Sequence, residues 1–419
     1  MTDESRWLGH GEGMDRAAGP SERTQTVHAG EDRSQPVRPL VSPIAQSSVL
    51  AVAQPDPRDV EDFDGARPGS YSRDHLANVS DLDRAIAELE GADDAYAVSS
   101  GMAAISLVFL AHLNAGDHVV VAEGAYCDTE ALLRQVLARF GVTCSRAPAG
   151  DAGALAAAMR PETRIVFVES IANPSMEVPD LDAIAAIAHN HCAGALLVVD
   201  NTFATPLLCK PLAHGADLVL HSVTKFLGGH HDLTAGAIAG RADLMRRVRE
   251  TGYLIGSLPG ALDAWLALRG IHTLAPRMAW ICDSARQVAD ALAAHPAVAA
   301  VAYPGLAQGA AGEVVSRMLP AGHGGMIRFR LAGGEPAVAP FLHALRLIVY
   351  AGSLGGTATT ICRPPQRNPC EDSGDAGYLR LSIGLESAAD IIGDLTAALD
   401  RVDGMDAIAS SIQQEVRTA

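Results

Sequence analysis

The sequence predicts an α/β protein, an open and mostly parallel doubly wound sheet followed by a smaller C-terminal α/β domain. Three observations predict it. From residue 85 onward, short apolar runs alternate with stretches of helical period. The apolar runs are continuous, as in strands whose two faces are both covered by helices. Beyond GYLIGSLPG (252–260) the alternation gives way to one long helical pattern and a second, shorter set of strands.

Taken in order, residues 1–23 are polar and acidic, lack an apolar segment, and read as a disordered leader, not a secretory signal. Residues 24–60 carry many prolines and little periodicity, and read as an extended arm lying on another surface, such as a second subunit. The larger domain spans 61–267. Its strands are AYAVSS (95–100), DHVVVAE (117–123), RIVFVES (164–170), ALLVVDN (195–201), ADLVLHS (216–222) and TAGAIAG (234–240), with helices at 102–113, 128–140 and 181–192. One helical run from Ala261 to Ala294, with Gly270 inside it, carries the domain boundary. The second domain, 268–419, adds strands at 298–303 and 325–331 and helices at 337–345 and 387–402. A loop rich in Pro, Arg and Cys precedes the last helix.

Composition narrows the function. No apolar run approaches the roughly 18–20 residues that span a bilayer. The seven cysteines (127, 144, 192, 209, 282, 362 and 370) are odd in number, scattered and without a CxxC pair. That pattern fits reduced thiols in a cytoplasmic protein and argues against a disulfide or zinc framework. Formal net charge is 32 − 49 = −17, which makes nucleic acid and anionic membrane poor partners. An anionic ligand must then be held by a few arginines and backbone donors.

HSVTKFLGGHHD (221–232) places Lys225 just after an apolar strand. A partly exposed lysine at a turn is the ordinary reading. A phosphate loop of the GxxxxGK[ST] type needs its glycines before the lysine, and here they follow it. A covalent anchor for pyridoxal phosphate (PLP) is the third reading, and it requires four partners. Asp200 closes the strand ALLVVD and offers a carboxylate to the pyridine nitrogen. SSGMAA (99–104) turns from strand to helix, so the amides of Gly101 and Met102 open onto a helix N-terminus that favours an anion, with Ser222 and Thr224 nearby. Tyr126 follows DHVVVAE and offers a ring to stack. Arg380 in YLRLSIGLE offers a bidentate guanidinium to a substrate carboxylate. Each has a plain alternative: a capping Asp, an ordinary turn, a packing Tyr, a surface Arg. Each signal is modest alone, but their joint order along the chain favours the anchor reading. His230, His231 and Asp232 lack the i, i+4 spacing of a helical metal site, and no metal is expected.

VHAG (27–30), YSR (71–73), AELEGADDAYAVSSGMAAI (87–105), VES with NP (168–174), VVDNTFATP (198–206), PLAHGADLVLHSVTKFLGGHHD (211–232), DAWLALRGIHTL (263–274), YPGL (303–306), SLGG (353–356) and LRLSIGLE (379–386) follow one another along nearly the whole chain. In that order they resemble the Cys/Met-metabolism, or transsulfuration, PLP enzymes. These include cystathionine γ-synthases, cystathionine γ- and β-lyases, methionine γ-lyases and O-acylhomoserine sulfhydrylases. The resemblance implies the PLP-dependent transferase fold of type I. It assigns Lys225 to the covalent anchor and proton transfer, Asp200 to the pyridine nitrogen and Tyr126 to ring stacking. Gly101, Met102, Ser222 and Thr224 go to the phosphate, as do Tyr71 and Arg73 reaching from a neighbouring subunit. Arg380 goes to the substrate carboxylate, with Ser353 and Asn173 nearby in the substrate site. A homodimer is the smallest active unit so implied, and a homotetramer the expected assembly.

The implied reaction is γ-elimination or γ-replacement on an O-activated homoserine, cystathionine, methionine or a related sulfur amino acid. On the same scaffold, β-elimination and γ-substitution with a carbon or nitrogen acceptor stay open. A non-catalytic binding protein is disfavoured by the intact Asp200, Lys225 and Arg380. Three departures bear on specificity. Leu76-Ala77-Asn78 replaces the usual NPT turn, and Cys127-Asp128-Thr129 replaces a glycine-rich turn after Tyr126. In Thr357-Ala358-Thr359, Ala358 takes a position that is usually acidic, and Arg363 is added. The expectation is a rebuilt wall around the distal end of the substrate, suited to a more acidic side chain or acceptor.

Overall fold

A computed structural model describes residues 21–31, 39–51, 71–73, 76–191, 195–363 and 377–402. The larger sheet contains β1 (Asp94–Val98), β2 (His118–Glu123), β3 (Thr143–Pro148), β4 (Thr163–Glu169), β5 (Leu196–Asp200), β6 (Leu218–His221) and β7 (Gly236–Gly240). Their order is β1-β7-β6-β5-β4-β2-β3. β7 runs antiparallel to both β1 and β6, and the other neighbours are parallel. β1 and β6 therefore point the same way, two strand spacings or about 9–10 Å apart. Their carboxyl ends share one edge of the sheet.

Ala77–Glu90 (α2) and Gly101–His112 (α3) flank this sheet, and the helix Glu22–His28 (α1) packs on α2. Val98, Val119, Val121, Phe167 and Leu220 point to the face covered by α3. Val120, Val166, Val199 and Val219 point to the other face, toward α2, and that core continues into the second sheet. The second sheet contains β8 (Val298–Ala302), β9 (Met326–Leu331), β10 (Val349–Tyr350), β11 (Thr360–Cys362) and β12 (Tyr378–Ser382), in the order β10-β11-β12-β9-β8.

Two expectations need correcting. The run 261–294 is not one helix but two, Ala261–Ile271 and Leu274–Ala294. The break is held by Arg277, which is 5% exposed and donates to Phe226 O (2.7 Å), Leu227 O (3.3 Å) and Gly270 O (2.7 Å). The Gly270 carbonyl is thus capped by a side chain instead of continuing the helix. Gly270 itself packs on the Gly228 carbonyl, where a Cβ would collide. The arm is not extended from its start either. Ser21 caps α1, so residues 22–23 of the expected leader and the first part of the arm are helical. Of the remaining leader and arm, residues 1–20, 32–38 and 52–60 lie outside the described residues, as does most of the Pro-, Arg- and Cys-rich loop. Residues 39–51 form one isolated bridge, Val49 to Tyr71.

Candidate active site

The carboxyl edge of the larger sheet opens into a cavity of about 530 Å³. β1 delivers the turn Ser99–Ser100 into α3. Ser100 caps that helix by accepting from Ala103 N at 3.1 Å. The amides of Gly101 and Met102 precede the first bonds inside the helix and are available to an anion. Gly101 leaves room for one, because a Cβ there would stand 2.7 Å from the Ser222 Cβ. Ser222 comes from the end of β6, so the antiparallel β7 between β1 and β6 is what brings the two turns together. Thr224 sits on the same turn, with its hydroxyl 3.1 Å from Ala235 O.

Asp200 ends β5 in the same edge. One of its oxygens, Oδ1, accepts from Thr202 N (2.9 Å) and Thr202 Oγ1 (2.5 Å), which leaves Oδ2 for a ligand. Burial raises the carboxyl's pKa, and the two Thr202 donors oppose that rise. A cation at Oδ2 favours the ionised form, and a protonated ring nitrogen is such a cation.

Lys225 donates from Nζ to Ser353 Oγ at 2.6 Å. Its pKa is lowered to about 8, first by desolvation and then by the Arg380 guanidinium. Ser353, with φ 71°, begins the segment that Gly355 seats against Phe226 N. Arg380 on β12 is 5% exposed, and its Nη1 donates to Asn173 Oδ1 at 2.9 Å. Nη2 lies 3.4 Å from Cys362 Sγ, and Nε has no partner among the described residues. Tyr126 lines the cavity at the start of the helix Cys127–Gln135, with its N–H donating to Glu169 Oε1 at 2.6 Å.

The cavity therefore gathers Gly101, Met102, Tyr126, Asn173, Asp200, Ser222, Thr224, Lys225, Ser353 and Arg380, each of which sequence reasoning had singled out. It does not gather Tyr71 and Arg73. Tyr71 is 45% exposed, and Arg73 lies over the Tyr253 ring at 4.3 Å and donates to its hydroxyl at 3.2 Å.

Glu169 is a lining residue that sequence reasoning overlooked, as is Thr202. Glu169 stands opposite Asp200 in the parallel register of β4 and β5. Burial, and then the neighbouring Asp200, holds its pKa well above the usual carboxylate range. The signal was present, since VES ends a strand adjacent to VVD.

One part of the specificity expectation, the placement of Ala358, needs correcting. Ala358 does not line the cavity among the described residues. It packs in a turn against Gly384, and the neighbouring Thr359 donates to both oxygens of Glu386, at 2.7 and 2.6 Å. Arg363 does line the cavity, and its guanidinium pairs with the half-exposed Glu335 at 2.5 Å. Asn78 serves the arm, accepting from Ala45 N at 2.8 Å and donating to Pro43 O at 2.9 Å.

A family model described as Cys/Met metabolism PLP-dependent enzyme matches residues 23–400. The chain belongs to this family. It is 37% identical over 387 residues to an L-methionine gamma-lyase of Pseudomonas deceptionensis, covering 90% of this chain and 96% of that protein. It is 37% identical over 393 residues to a cystathionine beta-lyase of Lactococcus lactis subsp. cremoris, covering 90% and 99%. It is 36% identical over 392 residues to a cystathionine gamma-synthase of Mycobacterium bovis, covering 91% and 97%. The crystal structure of metB from Corynebacterium glutamicum superposes with a TM-score of 0.84 at 33% identity, covering 91% of this chain and 98% of that one. The protein is thus a PLP-dependent enzyme of the transsulfuration type with the type I fold. Its cavity fits PLP: a turn kept open by Gly101, a carboxylate with one free oxygen, and a lysine with a softened amine.

That amine gives a pH prediction. A lysine held near 8 is about half neutral at pH 8, against roughly 0.3% for an ordinary lysine. In a PLP anchor the neutral amine would be the reactive form, so capture of PLP by the apoprotein is expected to speed up through pH 8 and then level off. Stopped-flow absorbance checks this, and a rate still climbing tenfold per unit above pH 9 contradicts it.

Proposed function

We propose that this enzyme acts at Cγ of an amino acid bearing a leaving group there, by γ-elimination or γ-replacement. The observation that supports a catalytic centre is convergence. Lys225 from the turn after β6, Asp200 from β5 and Arg380 from β12 meet in one cavity. The γ assignment draws on the methionine gamma-lyase and cystathionine gamma-synthase relatives, which match across nine-tenths of the chain. In the same reading, residues 61–267 are the cofactor-binding domain and 268–419 the second domain. The protein is cytoplasmic, with Cys127, Cys144, Cys209, Cys282 and Cys362 as free thiols. Among the described residues no helix is long and apolar enough to cross a membrane.

PLP, when bound, supplies an aldehyde for the substrate amine and a protonated ring that stores the electron pair released at Cα. The chain supplies the rest. Arg380, oriented by Asn173, holds the α-carboxylate, with Ser353 beside it. Asp200 would keep the ring nitrogen protonated, Tyr126 would offer its ring to the cofactor, and Gly101, Met102, Ser222 and Thr224 would bind the phosphate. Lys225 would hold the cofactor through its amine, and in neutral form that amine would take the Cα proton and carry protons onward as the γ substituent leaves. Attack by a nucleophile completes a replacement. Hydrolysis to 2-oxobutanoate and ammonia completes an elimination.

Product analysis tests this reading, with O-acylhomoserine, cystathionine and methionine each supplied with and without a thiol. The expected products are 2-oxobutanoate or a γ-substituted thioether. Pyruvate from cystathionine, with no reaction of methionine or O-acylhomoserine, overturns the γ assignment in favour of β-elimination, the activity named for the Lactococcus relative. Arg380→Lys raises KM for every accepted amino acid by about tenfold or more, because a point charge cannot reproduce a bidentate fork. Unchanged KM values would move the carboxylate site elsewhere.

Tyr71 and Arg73, away from the cavity of their own chain, are assigned to the phosphate of a partner subunit, with a homodimer as the minimal active unit and a homotetramer as the assembly. Lys225→Ala and Arg73→Ala each inactivate or weaken their own homodimer. Refolded together they regain activity, since one site of each mixed dimer joins an intact Lys225 to an intact Arg73. Mixtures no better than the parents, with subunit exchange demonstrated, would remove Arg73 from the partner's site.

A further inference from the structure

Three polar side chains are shut in the core directly beside the residues that carry the site. Glu90 is 2% exposed, Asn201 0% and His221 1%. Glu90 ends α2, ahead of the left-handed Gly91. A carboxylate there faces the negative end of the helix dipole and has lost its water, so it stands only where donors hold it. Both donors go to one oxygen. His221 Nε2 lies 2.5 Å from Glu90 Oε1, and Asn201 Nδ2 lies 2.9 Å from it. A carboxylate only accepts, so the imidazole nitrogen is the donor. Glu90 Oε2, His221 Nδ1 and Asn201 Oδ1 have no partner among the described residues. Such a trio is a poor way to stabilise a core, which well-packed apolar residues fill at lower cost.

Its position explains it better. Asn201 directly follows Asp200, and His221 directly precedes Ser222. Between these two chain segments stretches one hydroxyl. Ser222 N donates to Thr202 Oγ1 at 2.8 Å, and Thr202 Oγ1 donates to Asp200 Oδ1. By strand alternation His221 leaves the face opposite to Leu220, toward α2, and meets Glu90 there. The trio thus grips both backbone ends of the clamp on Asp200 from the far side of the sheet.

We propose that Glu90, His221 and Asn201 are positioning residues, which lock the ends of β5 and β6 in the register that sets the Asp200 carboxylate for the cofactor ring. This rests on the reading that Asp200 partners the ring nitrogen. The trio touches neither substrate nor cofactor, and it acts through Asp200 and Ser222.

The test uses holoenzyme of Glu90→Ala and His221→Ala, with Asp200→Asn alongside. The alanine variants raise the PLP dissociation constant about 10-fold and lower kcat roughly 10- to 100-fold, as losses of outer supporting contacts do. KM stays within about twofold, because the carboxylate site is untouched. The absorbance of bound cofactor moves toward that of Asp200→Asn. Glu90→Gln keeps an acceptor at Oε1 and returns affinity and kcat to within about threefold of the parent. A lowered melting temperature with affinity, absorbance and kcat all unchanged means a structural role alone and overturns the proposal. Should the alanine variants not fold, His221→Asn and Asn201→Ser are read by the same three measurements. Parent-like absorbance and kcat in Asp200→Asn itself defeats the reading of Asp200. A response there with none in the trio defeats only the inference.

Discussion

Lys225→Ala folds but loses turnover by at least about 10³-fold, since proton transfer alone contributes roughly 10²–10⁴-fold and the covalent hold on PLP is lost with it. The protein folds because the cavity is held by backbone, not by this side chain. The turn at 222–229 keeps its bonds Lys225 N to Ser222 O (3.1 Å) and Gly229 N to Lys225 O (2.7 Å) whatever the residue. Burial disfavours the charged amine, so removing it does not cost the fold an ion pair. The checks are PLP absorbance after dialysis and turnover of the substrates above. Near-parental turnover would end the assignment of this cavity as the catalytic centre.

Asp200→Asn lowers turnover by about 10²–10³-fold, the size expected when a preorganised charge at the reacting system is neutralised. Its effect on stability has the opposite sign. The folded state raises the Asp200 pKa, so the folded chain binds that proton more tightly than the unfolded chain does. The group therefore favours the folded state at low pH, and that contribution is lost as pH rises through the carboxyl's range. At neutral pH the buried charge is a burden, and the neutral amide removes it. The apoprotein of Asp200→Asn is expected to melt no lower than the parent at pH 7, while its holoprotein loses rate and part of its grip on PLP. A variant with unchanged rate, or one whose apoprotein collapses, contradicts this account.

Most of the larger domain was legible because its strands are buried on both faces. β4, β5 and β6 read as unbroken apolar runs, and a run that ends in Asp or just before Lys marks the edge where ligands bind. β3 was not legible. It lies at the edge of the sheet, and in TCSRAP only Ala147 is buried. The false single helix at 261–294 had a matching cause. Periodicity continues across residues 272–273, and the break is made by a side chain, Arg277, that bonds carbonyls more than forty residues earlier. Glu169 escaped notice because its role comes from a neighbour across the sheet, which spacing along the chain does not display. Ala358 misled for the converse reason. It is close in sequence to residues of the cavity, yet its turn points into Gly384.

The placement of β7 also bears on the order in which the chain assembles. β1 is the first strand of the sheet to be synthesised, and Asp94 pairs with Gly240, the last residue of the last strand. Ala95 and Ala97, 1% and 0% exposed in the finished sheet, have no strand partner among the described residues until then. Such distant pairings slow folding, because the intervening chain must be ordered before they are made. Until β7 arrives, β1 and β6 have nothing between them and the turns at Gly101 and Ser222 cannot meet. Nascent chains that stop short of Gly236 should not retain PLP, and chains that extend past it should begin to. Cofactor capture would then be a late checkpoint in biogenesis, reporting completion of a sheet begun about 140 residues earlier.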